Sequence, residues 1–214
     1  MKKIAILAAA ALLLCSCATS RFFNKTKAAD FNDIALVQPY SNVNIKTVKA
    51  RVYSDSLSRV NRKIVTSAVQ SLAIPIKTTV QASDPEWMLR LYDIAPNHAN
   101  WLQVPDVIRN AVTESGCRYG LLVTDVGYIM DRDAVIAEEV MDAGMTLLNY
   151  ALTGNKYYYN TVVSCQNSIY AVIYDNQTGE ILWYGSIKSD EARNPLNRKT
   201  VNKQVTTLFR PFYK

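Results

Sequence analysis

The sequence predicts a single α/β domain with a mixed α+β sheet: a central sheet with helices packed on it, and a long C-terminal β-hairpin followed by a helix. Three observations predict it. Apolar runs of strand length at 33–39 and 119–129 are separated by segments whose apolar residues recur at helical spacing. Two further β-patterned stretches, 157–174 and 180–187, flank Asp175-Asn176-Gln177-Thr178-Gly179, residue types that make turns. The composition, 49% hydrophobic and 20% charged over 214 residues, is that of a folded domain and argues against disorder.

Taken in order, 33–39 is a buried strand ended by Pro39, and 44–52 is a second extended piece. From Ser54 or Asp55 as N-cap, Leu57, Val60, Ile64, Ala68 and Leu72 form the inward stripe of a helix whose other side carries Arg59, Arg62, Lys63 and Gln70. Residues 74–80 alternate as a short strand. Pro85 suits the first position of a helical turn through Trp87, Leu89 and Leu91, and the region 84–104 looks like an addition to a simpler core. Pro105 opens a helix with Val107, Ile108, Ala111 and Val112 inward, and Ser115-Gly116 closes it.

The run 119–129 is the strongest strand in the chain. Asp131 to Asp133 make a turn, and 134–152 form a long helix ended by Gly154, with Ile136, Val140, Gly144, Leu147 and Ala151 inward. Its opposite side keeps Val135, Met141, Met145 and Leu148. Either another molecule or a neighbouring loop covers that surplus. Glu138, Glu139 and Asp142 argue against a membrane span. Along 157–174, Tyr157, Tyr159, Val163, Cys165, Ile169, Ala171 and Ile173 share one face. Asn194-Pro195 caps a last helix with Val201, Val205, Leu208 and Phe209 inward.

Ahead of the domain, Lys2 and Lys3 precede a wholly apolar stretch from Ile4 to Leu14, then Cys15-Ser16-Cys17. At about 16 Å as a helix, that stretch is too short to span a bilayer and fits an export signal. Leu14-Cys15-Ser16-Cys17 resembles the lipobox of bacterial lipoproteins: a branched apolar residue at −3, a small one at −1, then the cysteine that is acylated. Cleavage before Cys15 would place Leu14 at −1, so Cys17 is the expected lipidation site. The resulting division is a signal peptide at 1–16, a lipid anchor and tether at 17–32, and a globular domain at 33–214. Several acyl chains give lasting attachment where one gives only marginal binding. Ala18-Thr19-Ser20-Arg21 has no Asp after the anchor. The resemblance therefore implies an outer-membrane protein facing the periplasm.

The order of elements, with Leu121 to Asp125 and Tyr174-Asp175-Asn176-Gln177-Thr178-Gly179-Glu180-Ile181-Leu182-Trp183, resembles the α/β domain shared by the N-terminal part of TolB and the curli-secretion lipoprotein. That resemblance implies an accessory or scaffolding subunit with envelope protein partners and no catalytic residues. The expected contact surface is Met141, Met145, Leu148, Tyr157, Tyr158 and Tyr159. The tyrosines and Trp87, Trp101 and Trp183 serve either as packing or as an aromatic platform, so a glycan-binding module is the alternative.

Catalysis has little to work with. His98 is the only histidine, no G-x-S-x-G elbow is present, and a hydrolase would draw its carboxylates from Asp125, Asp131, Asp133, Glu138 and Glu139. The expectation is no enzyme, no cofactor and no metal. Cys117 and Cys165 remain after processing; an oxidising compartment permits a disulfide between them, and two buried thiols fit as well. The net charge of +6 includes Lys2 and Lys3, which leaves a mild excess suited to a surface beside anionic lipid and no clustering of Arg with aromatics for nucleic acid.

Overall fold

The computed structural model describes residues 18–154, 162–189 and 192–213. An eight-stranded open mixed sheet runs through it in the order β1-β8-β7-β6-β2-β5, and β3 and β4 branch from β6. The strands are β1 (Ala18–Phe22), β2 (Ile34–Val37), β3 (Tyr40–Lys46), β4 (Arg51–Tyr53), β5 (Ile76–Val80), β6 (Tyr119–Met130), β7 (Cys165–Asp175) and β8 (Ile181–Ile187). The helices are α1 (Asp55–Gln70), α2 (Pro85–Asp93), α3 (Asp106–Glu114), α4 (Arg132–Thr153) and α5 (Arg198–Leu208).

The branch at β6 follows from Pro39. Ile34 to Leu36 lie parallel to Tyr119 to Leu121, and Tyr40 to Lys46 lie parallel to Thr124 to Met130, so β2 and β3 share one edge of β6 end to end. Proline has no N–H for the ladder, which breaks what would otherwise be one long strand. On the other edge β6 and β7 are antiparallel over their length, and β7 pairs β8 in the predicted hairpin. Gly179, at φ +74°, supplies the left-handed residue of its turn.

Two cores follow from strand alternation. On one face Leu36, Leu121, Val123, Ile169, Ile173 and Trp183 pack beneath α1 and α5. On the other, Val37, Leu122, Tyr170, Val172, Tyr174 and Tyr184 pack against α2 and α3. From Asn167 to Asp175, β7 is thus buried on both faces, with the polar Asn167 and Ser168 included. Ser54 caps α1 as expected, accepting from Leu57 N. Its buried stripe is Ser58, Asn61, Ile64, Val65, Ala68 and Val69, and Val60 is exposed. Val107 of α3 is likewise exposed, and the cap of α5 is Asn197 rather than Asn194.

The expected tether is corrected over most of its length. Ala18–Phe22 is the edge strand β1, antiparallel to β8, and Trp183 Nε1 donates to Ser20 Oγ at 2.9 Å. Phe22 joins an aromatic cluster with Phe31, Trp183 and Phe212, and Phe23 and Phe31 are buried. The fold therefore already includes Ala18, whose neighbour Cys17 lies outside the described residues. The stretch is too short and polar for its strand pattern to show without β8 beside it.

Candidate functional site

The functional candidate is α4. Its start is well fixed: Asp131 Oδ1 accepts from Ala134 N at 2.7 Å, Ala134 is buried against Tyr128 and Met130, and Glu138 is ion-paired with Lys46. Its end is fixed by Gly154 at φ +69°, whose N–H donates to the Tyr150 carbonyl. Among the described residues, Ala134 is the only buried residue of this 22-residue helix.

Glu138, Asp142, Thr146 and Asn149 form a polar stripe and are half-buried. The apolar side chains point outward: Ile136 47%, Val140 66%, Met141 63%, Met145 62%, Leu147 68%, Leu148 55%, Tyr150 52% and Leu152 76% exposed. At about 100° per residue, the apolar arc covers roughly 220° of the helix. The inward series predicted from the sequence, Ile136, Val140, Gly144, Leu147 and Ala151, is therefore exposed, because the helix leaves the body after its second turn. Met141, Met145 and Leu148 are exposed as well. Tyr157, Tyr158 and Tyr159 lie outside the described residues.

A second polar cluster is buried under α1 and α5. Asn61 Nδ2 donates to Asp125 Oδ1, Asn167 Nδ2 donates to Gln204 Oε1 at 3.2 Å, and Gln204 Nε2 donates to the Asn167 carbonyl at 2.9 Å. Asp125 Oδ2 and Asn167 Oδ1 have no partner when the carboxyl is ionised. Loss of solvent pushes the Asp125 carboxyl up to about 7, against the opposing pull of the Asn167 and Asn61 amides. A proton on Oδ2 supplies a donor for an acceptor beside it.

A polar hollow of about 600 Å³ opens at the opposite end of the sheet from α4, lined by Asp33, Arg109, Thr113, Cys117, Arg118 and Asn176. Its cations are engaged. Arg109 donates to the carbonyls of Asn176 and Gln177, Arg118 pairs with Asp175 at 3.1 Å, and Lys77 reaches Asp33 at 2.7 Å and holds its carboxyl below the usual range. The two arginines pin the hairpin turn, and the Asp-to-Glu turn motif serves structure there: Asp175 Oδ1 accepts from Gln177 N at 2.8 Å.

The remaining sequence-predicted groups do not converge. Asp125 is buried, whereas Asp131, Asp133, Glu138 and Glu139 stand on or beside the first turns of α4. His98 is stacked on Trp101 at 4.0 Å in a 3-10 turn. No group of three His, Cys, Asp or Glu suited to a metal occurs among the described residues. Cys117 and Cys165 are both free. Cys117 lies just before the start of β6 and Cys165 pairs with Ile129 near its end, roughly 30 Å away, so no bridge joins them. Trp87 and Trp183 are buried, with their N–H groups on the Gln103 carbonyl and Ser20, and so cannot serve an aromatic platform. No described helix is long and apolar enough to cross a membrane.

The fold and site define a layered α/β domain with one uncovered apolar helix. Neither a protein-family model nor a curated protein matches this sequence. Among solved structures, the PelC dodecamer from Paraburkholderia phytofirmans is similar at 8% identity, over 92% of this chain and 96% of that one, with a TM-score of 0.41. A DUF4136 family protein from Bacteroides thetaiotaomicron aligns over 92% and 96% at 9% identity with a TM-score of 0.35. The LpoB C-terminal domain from Salmonella enterica aligns over 76% and 84% at 11% identity with a TM-score of 0.28. Likeness this distant transfers no function to this chain.

Proposed function

We propose that this chain is an envelope lipoprotein, held at the outer membrane by acyl chains on Cys17 and facing the periplasm, with a non-enzymatic accessory or scaffolding role among other envelope proteins. One observation carries the contact role: the other described residues leave the large apolar side chains of α4 uncovered. A buried Leu or Met side chain is worth about 1.5–3 kcal/mol, so several left in water favour a partner. The lipobox at Leu14 to Cys17 supports the anchor, and the absence of a spacer after Cys17 holds the body close to the membrane surface.

Two measurements test this. Cys17→Ala should abolish incorporation of labelled fatty acid and move the protein out of the membrane fraction; unchanged acylation refutes the anchor. Met141→Glu with Met145→Glu should leave the thermal melt within about 0.5 kcal/mol of the parent, since both residues are exposed, yet reduce recovery of co-purifying envelope material about tenfold. Unchanged recovery removes α4 as the contact surface. The glycan alternative rests on Trp101, 70% exposed and stacked on His98. It requires tryptophan fluorescence to respond to cell-wall or capsular glycans, and a flat titration ends it.

A further inference from the structure

We infer that the occupant of α4's apolar arc is the phospholipid surface itself, so that the helix seats the domain on the bilayer beside the acyl anchor. This rests on the proposal that α4 is a contact surface and specifies what it touches.

The first support is strand direction. β1 pairs antiparallel with β8, Ala18 opposite Ile187 and Phe22 opposite Trp183. Ile187 lies beside Ile169, and Ile169 beside Asp125. Traced backward from Phe22 to Ala18, the chain therefore heads toward the end of the sheet where β6 finishes at Met130 and gives way to α4. Ala18 is level with Asp125, midway along β6, and the chain before it is directed toward the α4 end. The topology thus points an anchor on Cys17 toward α4 rather than toward the hairpin turn.

The second support is the shape of the apolar surface. An arc of roughly 220° is wider than the narrow seam a two-helix contact covers. It suits immersion in a medium that surrounds the helix on most sides. The half-buried stripe of Glu138, Asp142, Thr146 and Asn149 is the complement of that arc, which matches a helix lying in the interface. The charge at the start of the helix is mixed, with Arg132, Asp133 and Glu139 all exposed. Binding through α4 is thus apolar in origin and insensitive to headgroup charge.

The test uses the mature, lipidated chain reconstituted in phosphatidylcholine–phosphatidylethanolamine vesicles carrying nitroxide-labelled acyl chains. An environment-sensitive fluorophore is encoded at position 145 or 148, and at 177 in the hairpin turn as a control. All three sites are exposed, and a melt matching the parent's verifies the fold. The expected result is quenching by about twofold or more at 145 and 148, none at 177, and little change on raising salt. No quenching at 145 and 148, with a photo-crosslinker at 145 trapping a protein in intact cells, overturns the lipid seat and leaves the contact reading standing. No quenching and no crosslink overturns both.

Discussion

A carboxyl placed where α1, α5 and the sheet meet, as Asp125 is, links stability to pH in a defined direction. Its folded value of about 7 lies above the ordinary 3.8, so between these limits the folded state holds a proton that the unfolded state has lost. Stability from this group is full below about pH 4, falls as pH rises, and levels off above about pH 7. Asp125→Asn, which keeps a donor toward Asn167 without the charge, should flatten the fall in Tm across that range; an unchanged pH profile contradicts the account. Gly120 offers a second check. A Cβ there would lie 2.2 Å from the Tyr174 ring, so Gly120→Ala should cost about 1–3 kcal/mol by denaturant unfolding. Adding Tyr174→Leu should recover part of that loss, and strictly additive effects would disprove the packing claim.

At the scale of elements, what the sequence disclosed depended on whether the stabilising partner was local. The β7–β8 hairpin and the Ser54 cap of α1 were legible because their turn and cap residues act on neighbours in sequence. β1 was not, since Ala18 to Phe22 owe their strand to β8, some 160 residues away, and to Trp183. The face of α1 shifted because Ser58 and Asn61 are buried in polar roles, Ser58 Oγ accepting from Val43 N at 2.9 Å. A hydrophobic count cannot find such positions. In α4 the existence and length of the helix were legible and its surplus of apolar residues was visible. What escaped was that no strand of the described residues lies beneath it after Glu138. A helical wheel drawn over 132–153 shows the wide arc, but only the structure tells which side is left bare. The exposed arc makes a further prediction: Leu147→Lys with Leu148→Lys should preserve the cooperative unfolding transition, and loss of that transition would mean the helix is part of the core.

For the whole molecule, the sheet acts as a ruler between two ends. At one end β6 delivers α4, and β1 runs back toward Cys17; at the other, the hairpin turn, Arg109 and Arg118 close a polar hollow whose charges pair with each other. In the proposed arrangement the first end meets the envelope and the second faces away from it, so contact made through α4 and contact made around residue 177 should differ in kind. The most direct measurement is photo-crosslinking in intact cells from a probe at position 145, with a second probe at 177 in the same full-length chain. Trapped envelope material, lipid or protein, is expected from 145 and should disappear with Met141→Glu, with a different product or none from 177. Identical products from both positions, or none from 145 while the protein is membrane-bound and folded, would contradict the proposed arrangement.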